Sequence, residues 1–271
     1  MAYRTWQVGL DIQNGQLCAV AVQRCRRGWQ LRHWWRQSLP ELKVHNGVLS
    51  LTEPLVTALR DWRRQLPRHV SLRVGFPPHS VQQHLLTSPA LRLCAADRNN
   101  YVMASARRLF PIELNALALD YRAASHTQPL CLTATRRETL DSWLTVLHAA
   151  GIVPEVMELS PNALRALAYA LDLPTDAALV FHTSDHWLWY CPSNGAPAGG
   201  WHDATDFAAL REQTFPHARH VWFSAAQPMT QPEGTQPLLP FQALAVRHLP
   251  LPREEGPFSL AVGLALRPED S

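Results

Sequence analysis

The stretch "VGLDIQNGQLCAVAV", Val8–Val22, decides how this chain is read. Apolar residues flank a short polar centre, and Asp11 sits inside the first apolar run. A carboxylate there costs free energy unless a partner satisfies it. "TWQVGLDI" alternates as a strand, Asn14-Gly15 supplies a hairpin turn, and "QLCAVAVQ" continues as a second strand. "RCRRG" turns the chain again and "WQLRHWWRQSL" makes a third strand, so an antiparallel meander of three strands opens the protein.

Working outward, "LTEPLVTALRDWRRQLP" reads as a helix, with Thr52 at the N-cap, Pro54 in the first turn and Pro67 as its stop. Leu55, Leu59, Trp62 and Leu66 recur on one face of it. "HVSLRVGF" is then a strand, giving the order β-β-β-α-β. A separate block follows, with strands "SVQQHLLT", "ALALDYRAA" and "LCLTAT" and a helix "CAADRNNYVMASARRLF" ending at Pro111. "RRETLDSWLTVLHAAG" is an amphipathic helix capped by Gly151, "IVPEVMEL" a strand, and "SPNALRALAYAL" a helix with Ser160 at the N-cap and Pro161 at its first position. From Ala177 the plan begins again: strands "AALVFHTS" and "HWLWYC", a turn "PSNGAPAGG", a helix "ATDFAALREQTF" and a strand "HVWFSA". Prolines across Gln227–Pro257 forbid a central strand or helix interior over most of that stretch, and "FSLAVGLAL" closes as a short apolar helix.

Composition narrows the classes. Apolar residues make up 46% of the 271 residues and charged ones 17%, which places the chain among folded globular proteins. No run of eighteen apolar residues occurs, and the N-terminus lacks a basic segment followed by an apolar one. The expectation is a cytoplasmic protein without a transmembrane helix. The five cysteines show no CxxC spacing, which argues against a disulfide framework or a zinc site. A net charge of +3 is too small to mark a dedicated nucleic-acid binder.

A duplicated β-β-β-α-β-α unit with an aspartate on its first strand resembles the actin-like ATPases. Within them the chain is similar to the PilM-like proteins of type IV pilus assembly, and to the shortened HofM branch linked to DNA uptake or use. The similar segments are "VGLDIQNGQLCAVAV", "HNGVL", "VGFPPHSVQQHLL", "LFPIELNALALDY", "TRRETLDSWLTVLHAAGIVPEVMELSPNALRALAY" and "LAVGLALR". The resemblance implies an α/β, ribonuclease H-like duplicated fold. Residues 1–76 and 135–175 form its first subdomain, 77–134 an inserted α+β subdomain, and 176–271 a reduced second subdomain carrying the proline-rich loop 227–257.

In the family the first hairpin holds ATP phosphates. The aspartate orients magnesium, a glycine admits the phosphate, and hydroxyls and a lysine supply donors and charge. Gly9 and Asp11 remain here, but Gln13 stands at the loop glycine, Asn14 at the first hydroxyl and Cys18 at the lysine. His182 and Ser184 replace the aspartate and glycine of the second loop. "FSAAQ", Phe223–Gln227, replaces a glycine-rich turn, and only "ATDFAALREQTFPHAR" spans the place of a nucleotide-covering subdomain. The resemblance therefore implies a degenerate nucleotide pocket at Gly9, Asp11, Gln13 and Asn14, with no catalytic residue, no metal and no cofactor. It also implies a non-catalytic scaffold of a pilus-like or DNA-uptake assembly. Such a scaffold sits peripherally at the inner membrane, bound to the cytoplasmic N-terminal segment of a single-span PilN-like partner, with self-association open. A diverged ATPase that still binds ATP and magnesium through Asp11 is the first alternative, and direct DNA binding the second.

Three other features invite a functional reading. "HTSDH" places His182 and His186 four apart, but on a strand-and-turn pattern where imidazoles need not converge, so a structural role is expected. "RCRRGWQLRHWWRQ", Arg24–Gln37, has the charge and aromatics to meet acidic phospholipid or single-stranded DNA. Simple alternation instead points Trp29, Leu31, His33 and Trp35 inward and leaves Trp34 outside. Glu155 and Glu158 fit no recognisable site and are expected to be solvated or capping groups.

Overall fold

The computed structural model describes residues 5–87, 94–122, 130–194 and 198–268. The meander of β1 (Trp6–Gln13), β2 (Gln16–Cys25) and β3 (Gly28–Ser38) leads through the short pair β4 (Val44–His45) and β5 (Val48–Leu49) to α1 (Glu53–Arg63) and β6 (Val70–Phe76). Next come β7 (Val81–Leu86), α2 (Ala95–Leu109), β8 (Leu117–Arg122), β9 (Leu130–Arg136), α3 (Arg137–Ala149), β10 (Val156–Leu159) and α4 (Ser160–Ala170). The remainder is β11 (Ala177–His182), β12 (Trp187–Tyr190), β13 (Gly199–His202), α5 (Phe207–Thr214), β14 (His220–Ala225), β15 (Gln236–Pro237) and α6 (Ser259–Leu266). Two compact units result: Met1–Leu42, Thr52–Pro78 and Leu147–Ser271 form one, Lys43–Leu51 and His79–Val146 the other.

The larger unit is built on two sheets of like plan, ordered β10-β6-β1-β2-β3 and β13-β12-β11-β14-β15. In each, the first strand pairs antiparallel with the next and parallel with the strand after a helix. This repetition is the duplicated α/β plan expected from the sequence. Helices α4 and α6 lie between the sheets in one core that takes Val20, Val22 and Leu31 from the first sheet and Leu179, Phe181 and Leu188 from the second. The outer face of the second sheet is closed by Leu210 and Phe215 of the α5 segment against Val180, Trp187 and Phe223. On the other face of the first sheet, the Trp35 ring meets Trp62 of α1 edge-on at 6.1 Å.

Helix α6 explains the apolar C-terminal stretch. All eight of its residues are buried, as expected of a helix that is hydrophobic all round. It is gripped at two glycines. A Cβ on Gly263 would lie 2.0 Å from the Ala163 carbonyl oxygen of α4, and one on Gly9 would lie 2.0 Å from the Ala261 carbonyl oxygen.

Several local expectations are corrected. Between β2 and β3 the register shifts at Ala21/Val22, so Leu31 opposes Val22 while His33 opposes Ala21, and Arg32 is the extra residue. A bulge reverses the faces beyond it. Leu31 and Trp34 therefore share the inner face, and His33 is exposed. Trp34 is not left outside: its ring lies 5.5 Å from that of Phe258 and its Nε1 donates to the Pro250 carbonyl at 3.0 Å. Strand β10 begins only at Val156, because Pro154 has no N–H to pair. Ser160 is the first residue of α4 and not its cap; its hydroxyl donates to the Phe76 carbonyl at 3.3 Å. Thr52 takes the cap position of α1 without a side-chain bond. Gly199 and Gly200, expected in a turn, belong to β13, where the Trp189 ring packs over Gly200. The middle of that turn, 195–197, and the end of the "ALALDYRAA" strand, 123–124, lie outside the described residues.

The smaller unit carries the sheet β7-β9-β8 and the hairpin β4-β5. Val102, Ala106 and Phe110 of the α2 segment pack on Leu86, Leu117, Leu132 and Ala134. The "HNGVL" segment is a two-residue hairpin turn with both Asn46 (φ 50°) and Gly47 (φ 83°) left-handed, the turn type that Asn-Gly favours.

Candidate functional site

The β1–β2 hairpin brings Gly9, Asp11 and Gln13 to one face, two residues apart along the strand. Asp11 pairs across the hairpin with Cys18. It is buried, and a Cβ on Gly75 would lie 3.5 Å from its Oδ1 and 3.6 Å from the Ser160 hydroxyl. Its partner is Gln13, whose Nε2 donates to Asp11 Oδ2 at 2.6 Å. Burial pushes the Asp11 carboxyl up to about 7, with the Gln13 bond opposing in part. Burial also pushes the Cys18 thiol up to about 12, helped by the nearby Asp11 charge. Gly9 faces the α6 backbone, as described. Asn14 stands apart at the exposed turn, where its Oδ1 accepts from the Leu42 amide at 3.0 Å. Gly15 supplies the left-handed turn residue at φ 79°.

Across from this hairpin lies "FSAAQ", at the end of β14. The two are joined directly. Buried Gln16 donates from Nε2 to the Ala226 carbonyl at 3.2 Å, and Arg36 donates to the same carbonyl at 3.3 Å. Gln227 donates to Gln16 Oε1 at 3.4 Å, and Arg36 is held by Glu254 at 2.9 Å. Nearby, the Ser224 and Ser259 hydroxyls bond at 2.9 Å. Gln16, Arg36 and Glu254 were not singled out from the sequence. Their partners lie up to 218 residues away, and only a duplicated fold places them together.

The second hairpin closes on itself. The Thr183 hydroxyl accepts from the His186 amide at 3.0 Å, and His186 Nδ1 lies 2.8 Å from Asp185 Oδ1. The His182 ring lies tilted against that of Trp187 with centroids 4.3 Å apart, and burial lowers its pKa. No group of three or more His, Cys, Asp or Glu side chains suited to a metal occurs among the described residues.

Glu158 corrects an expectation: it is neither solvated nor merely capping. It is buried against Arg267 in an ion pair, and Asn162 Nδ2 donates to it at 2.7 Å. Arg73, also buried, donates to Gln7 Oε1 at 3.0 Å and to the Arg267 carbonyl. The polar cluster thus ties β1, β6, β10 and the end of α6 together.

With two sheets of one plan flanking a shared helical layer, and a buried aspartate on the first strand, the chain has a duplicated, actin-like α/β fold. It superposes on a chain of the PilM–PilN type IV pilus biogenesis complex with a TM-score of 0.71, at 16% identity, covering 97% of this chain and 98% of that one. It also superposes on the cytoplasmic domain of EpsL, an inner-membrane component of the type II secretion system of Vibrio cholerae, with a TM-score of 0.57 at 11% identity over 97% and 95% of the two chains. In sequence it is a homologue of the DNA utilization protein HofM of Escherichia coli K12, 25% identical over 272 residues and 98% of each chain. No protein-family model matches it.

Proposed function

We propose that this protein is a non-catalytic scaffold of a type IV pilus-like or DNA-uptake assembly. It works in the cytoplasm at the inner membrane, held there by the N-terminal cytoplasmic segment of a single-span PilN-like protein. The observation that carries the reading is the direct bridge from Gln16 and Arg36 to the Ala226 carbonyl. It ties the hairpin that would hold phosphate to the segment that would cup adenosine. The Asp11 carboxylate is already engaged by the Gln13 amide at 2.6 Å, and its cross-strand neighbour is Cys18, not a cation that would meet phosphate. The residues present therefore do not fit magnesium-ATP, and the degenerate pocket at Gly9, Asp11, Gln13 and Asn14 reads as a structural remnant. The likeness of the fold to PilM and the similarity to HofM support the assembly role, and the PilM–PilN complex supports a PilN-like partner. No helix of the described residues is long and apolar enough to cross a membrane, which is compatible with recruitment by a partner.

The test is a titration of the protein against a labelled peptide of the N-terminal cytoplasmic segment of the PilN-like protein from the same cell. Saturable micromolar binding, unchanged by ATP, supports the reading. Binding that appears only with ATP, or none at all, overturns it.

A further inference from the structure

Between Ile12 and Pro40 the chain carries no acidic residue, yet it carries Arg24, Arg26, Arg27, Arg32 and Arg36. Structure separates their roles. Arg36 is taken by Glu254. Arg24, Arg26 and Arg27 gather at the far end of the β2–β3 hairpin, where Arg26 and Arg27 form the turn itself; Arg32 stands at the mid-strand bulge, and all four are exposed. Arg-Arg is an unfavourable choice at a turn, where small or amide residues fit the backbone better. Its like charges also repel. Neither residue, nor Arg32, is paired with a carboxylate among the described residues.

A second observation lies on the segment that flanks β3. The strand-like segment at Val246 runs along β3, donating to the Trp29 carbonyl at 3.2 Å and accepting from the Leu31 amide at 2.8 Å. His248 then meets Gln30 at 2.6 Å. The next residue, Leu249, is 85% exposed, the highest exposure among the large exposed apolar side chains of the described residues. Val246 pairs parallel with Gln30, so the segment runs from there away from the arginine turn and past Arg32, and Leu249 stands about 20 Å along the strand from that turn, six residues at strand rise.

We infer that this edge of the hairpin, from the arginine turn past Arg32 to Leu249, forms a contact surface for an anionic lipid bilayer. Guanidinium groups meet headgroup phosphates, and the leucine enters the boundary with the acyl chains. The arrangement favours a membrane over nucleic acid on two counts. Single-strand binding needs open aromatic faces for base stacking. Here the Arg24 guanidinium lies over the Trp29 ring at 5.0 Å and that of Arg32 over Trp6 at 5.4 Å. A leucine held in water also gains nothing from a phosphodiester, whereas it gains from hydrocarbon. The inference does not depend on the partner peptide: it assigns a direct lipid contact to the protein itself.

Flotation with vesicles tests it. The full chain is mixed with phosphatidylethanolamine–phosphatidylglycerol vesicles, with neutral phosphatidylcholine vesicles, and with a single-stranded oligonucleotide at the same low salt. The expected result is binding to the anionic vesicles alone, weakening as salt rises. Each basic residue near such a surface contributes about fivefold, so the double variant Arg26→Ala, Arg27→Ala should bind about 25-fold more weakly. Leu249→Ser should bind about tenfold more weakly while keeping the salt dependence. Both changes fall on exposed positions, and an unchanged melting temperature verifies folding. Equal binding to both vesicle types, no binding at low salt, or wild-type binding by the double variant overturns the inference. Binding to the oligonucleotide but not to vesicles reassigns the surface to nucleic acid.

Discussion

Gly9→Ala separates two explanations of the first glycine of the hairpin. A glycine kept for a phosphate would accept a methyl group with little change in stability. In this structure the added Cβ stands 2.0 Å from the Ala261 carbonyl oxygen, 2.5 Å from the Ala265 amide nitrogen and 2.9 Å from the Leu264 Cβ. Two of those three atoms are backbone, on a helix buried on every side, so no rotamer change relieves the overlap. Overpacking of a close-packed core costs about 1–3 kcal/mol, and a double backbone collision belongs at the top of that range. For a chain of this size about 3 kcal/mol lowers the melting temperature by about 8 °C. Gly15→Ala is the control. Its Cβ meets nothing within 4 Å, but its φ of 79° is left-handed, so it should cost about 1–2 kcal/mol, or about 4 °C. Thermal unfolding by circular dichroism reads both. A Gly9→Ala protein melting within about 2 °C of the wild type would refute the packing argument.

Three further outcomes are expected. Asp11 has a folded pKa near 7, above its unfolded value of 3.8. The folded state then holds the extra proton between those values, and stability falls as pH rises through that window. Asp11→Asn should therefore stabilise the protein at pH 8 by up to about 4 kcal/mol and change little at pH 4; equal effects at both pH values in urea titrations would contradict the burial of the charge. Glu158→Gln leaves Arg267 without its buried counter-charge and should cost about 3–5 kcal/mol, read as a lower urea midpoint, whereas a surface glutamate would give almost no change. Gln16→Ala strips the Ala226 carbonyl of one donor and should cost about 1–3 kcal/mol; a midpoint like that of the wild type would show that the bridge between the two segments is not formed in solution.

The duplicated plan was legible because it rests on local periodicity. Alternation in "VGLDIQ", the short apolar run "AALVFH", and the apolar spacing of Leu55, Leu59 and Trp62 are set by strand and helix geometry alone. What failed did so where a single residue alters the count or the partner is remote. Strict alternation cannot foresee the extra residue at Arg32, so it put Trp34 on the wrong face. Gly199 and Gly200 lack strand propensity, and the Trp189 ring takes the space a side chain at Gly200 would need. Glu158 is 109 residues from Arg267, so nothing near it in the sequence marks it as buried. The candidate site was half legible. Asp11 inside an apolar run signalled a buried carboxylate, but the resemblance to a phosphate loop hid the role of Gly9 as the seat of α6. The bridge from Gln16 to Ala226 was out of reach for the same reason as the Glu158 pair.

Thermal unfolding with and without millimolar magnesium-ATP, alongside a non-hydrolysable analogue, tests the central claim most directly. A ligand at about 100 times its Kd stabilises the native state by about 2.7 kcal/mol, which is about 5–10 °C for a chain of this size. The account predicts no shift with either nucleotide, because Gln16 and Arg36 already join the two segments that would enclose it. A clear shift that disappears in Asp11→Ala would contradict it and restore a working nucleotide site.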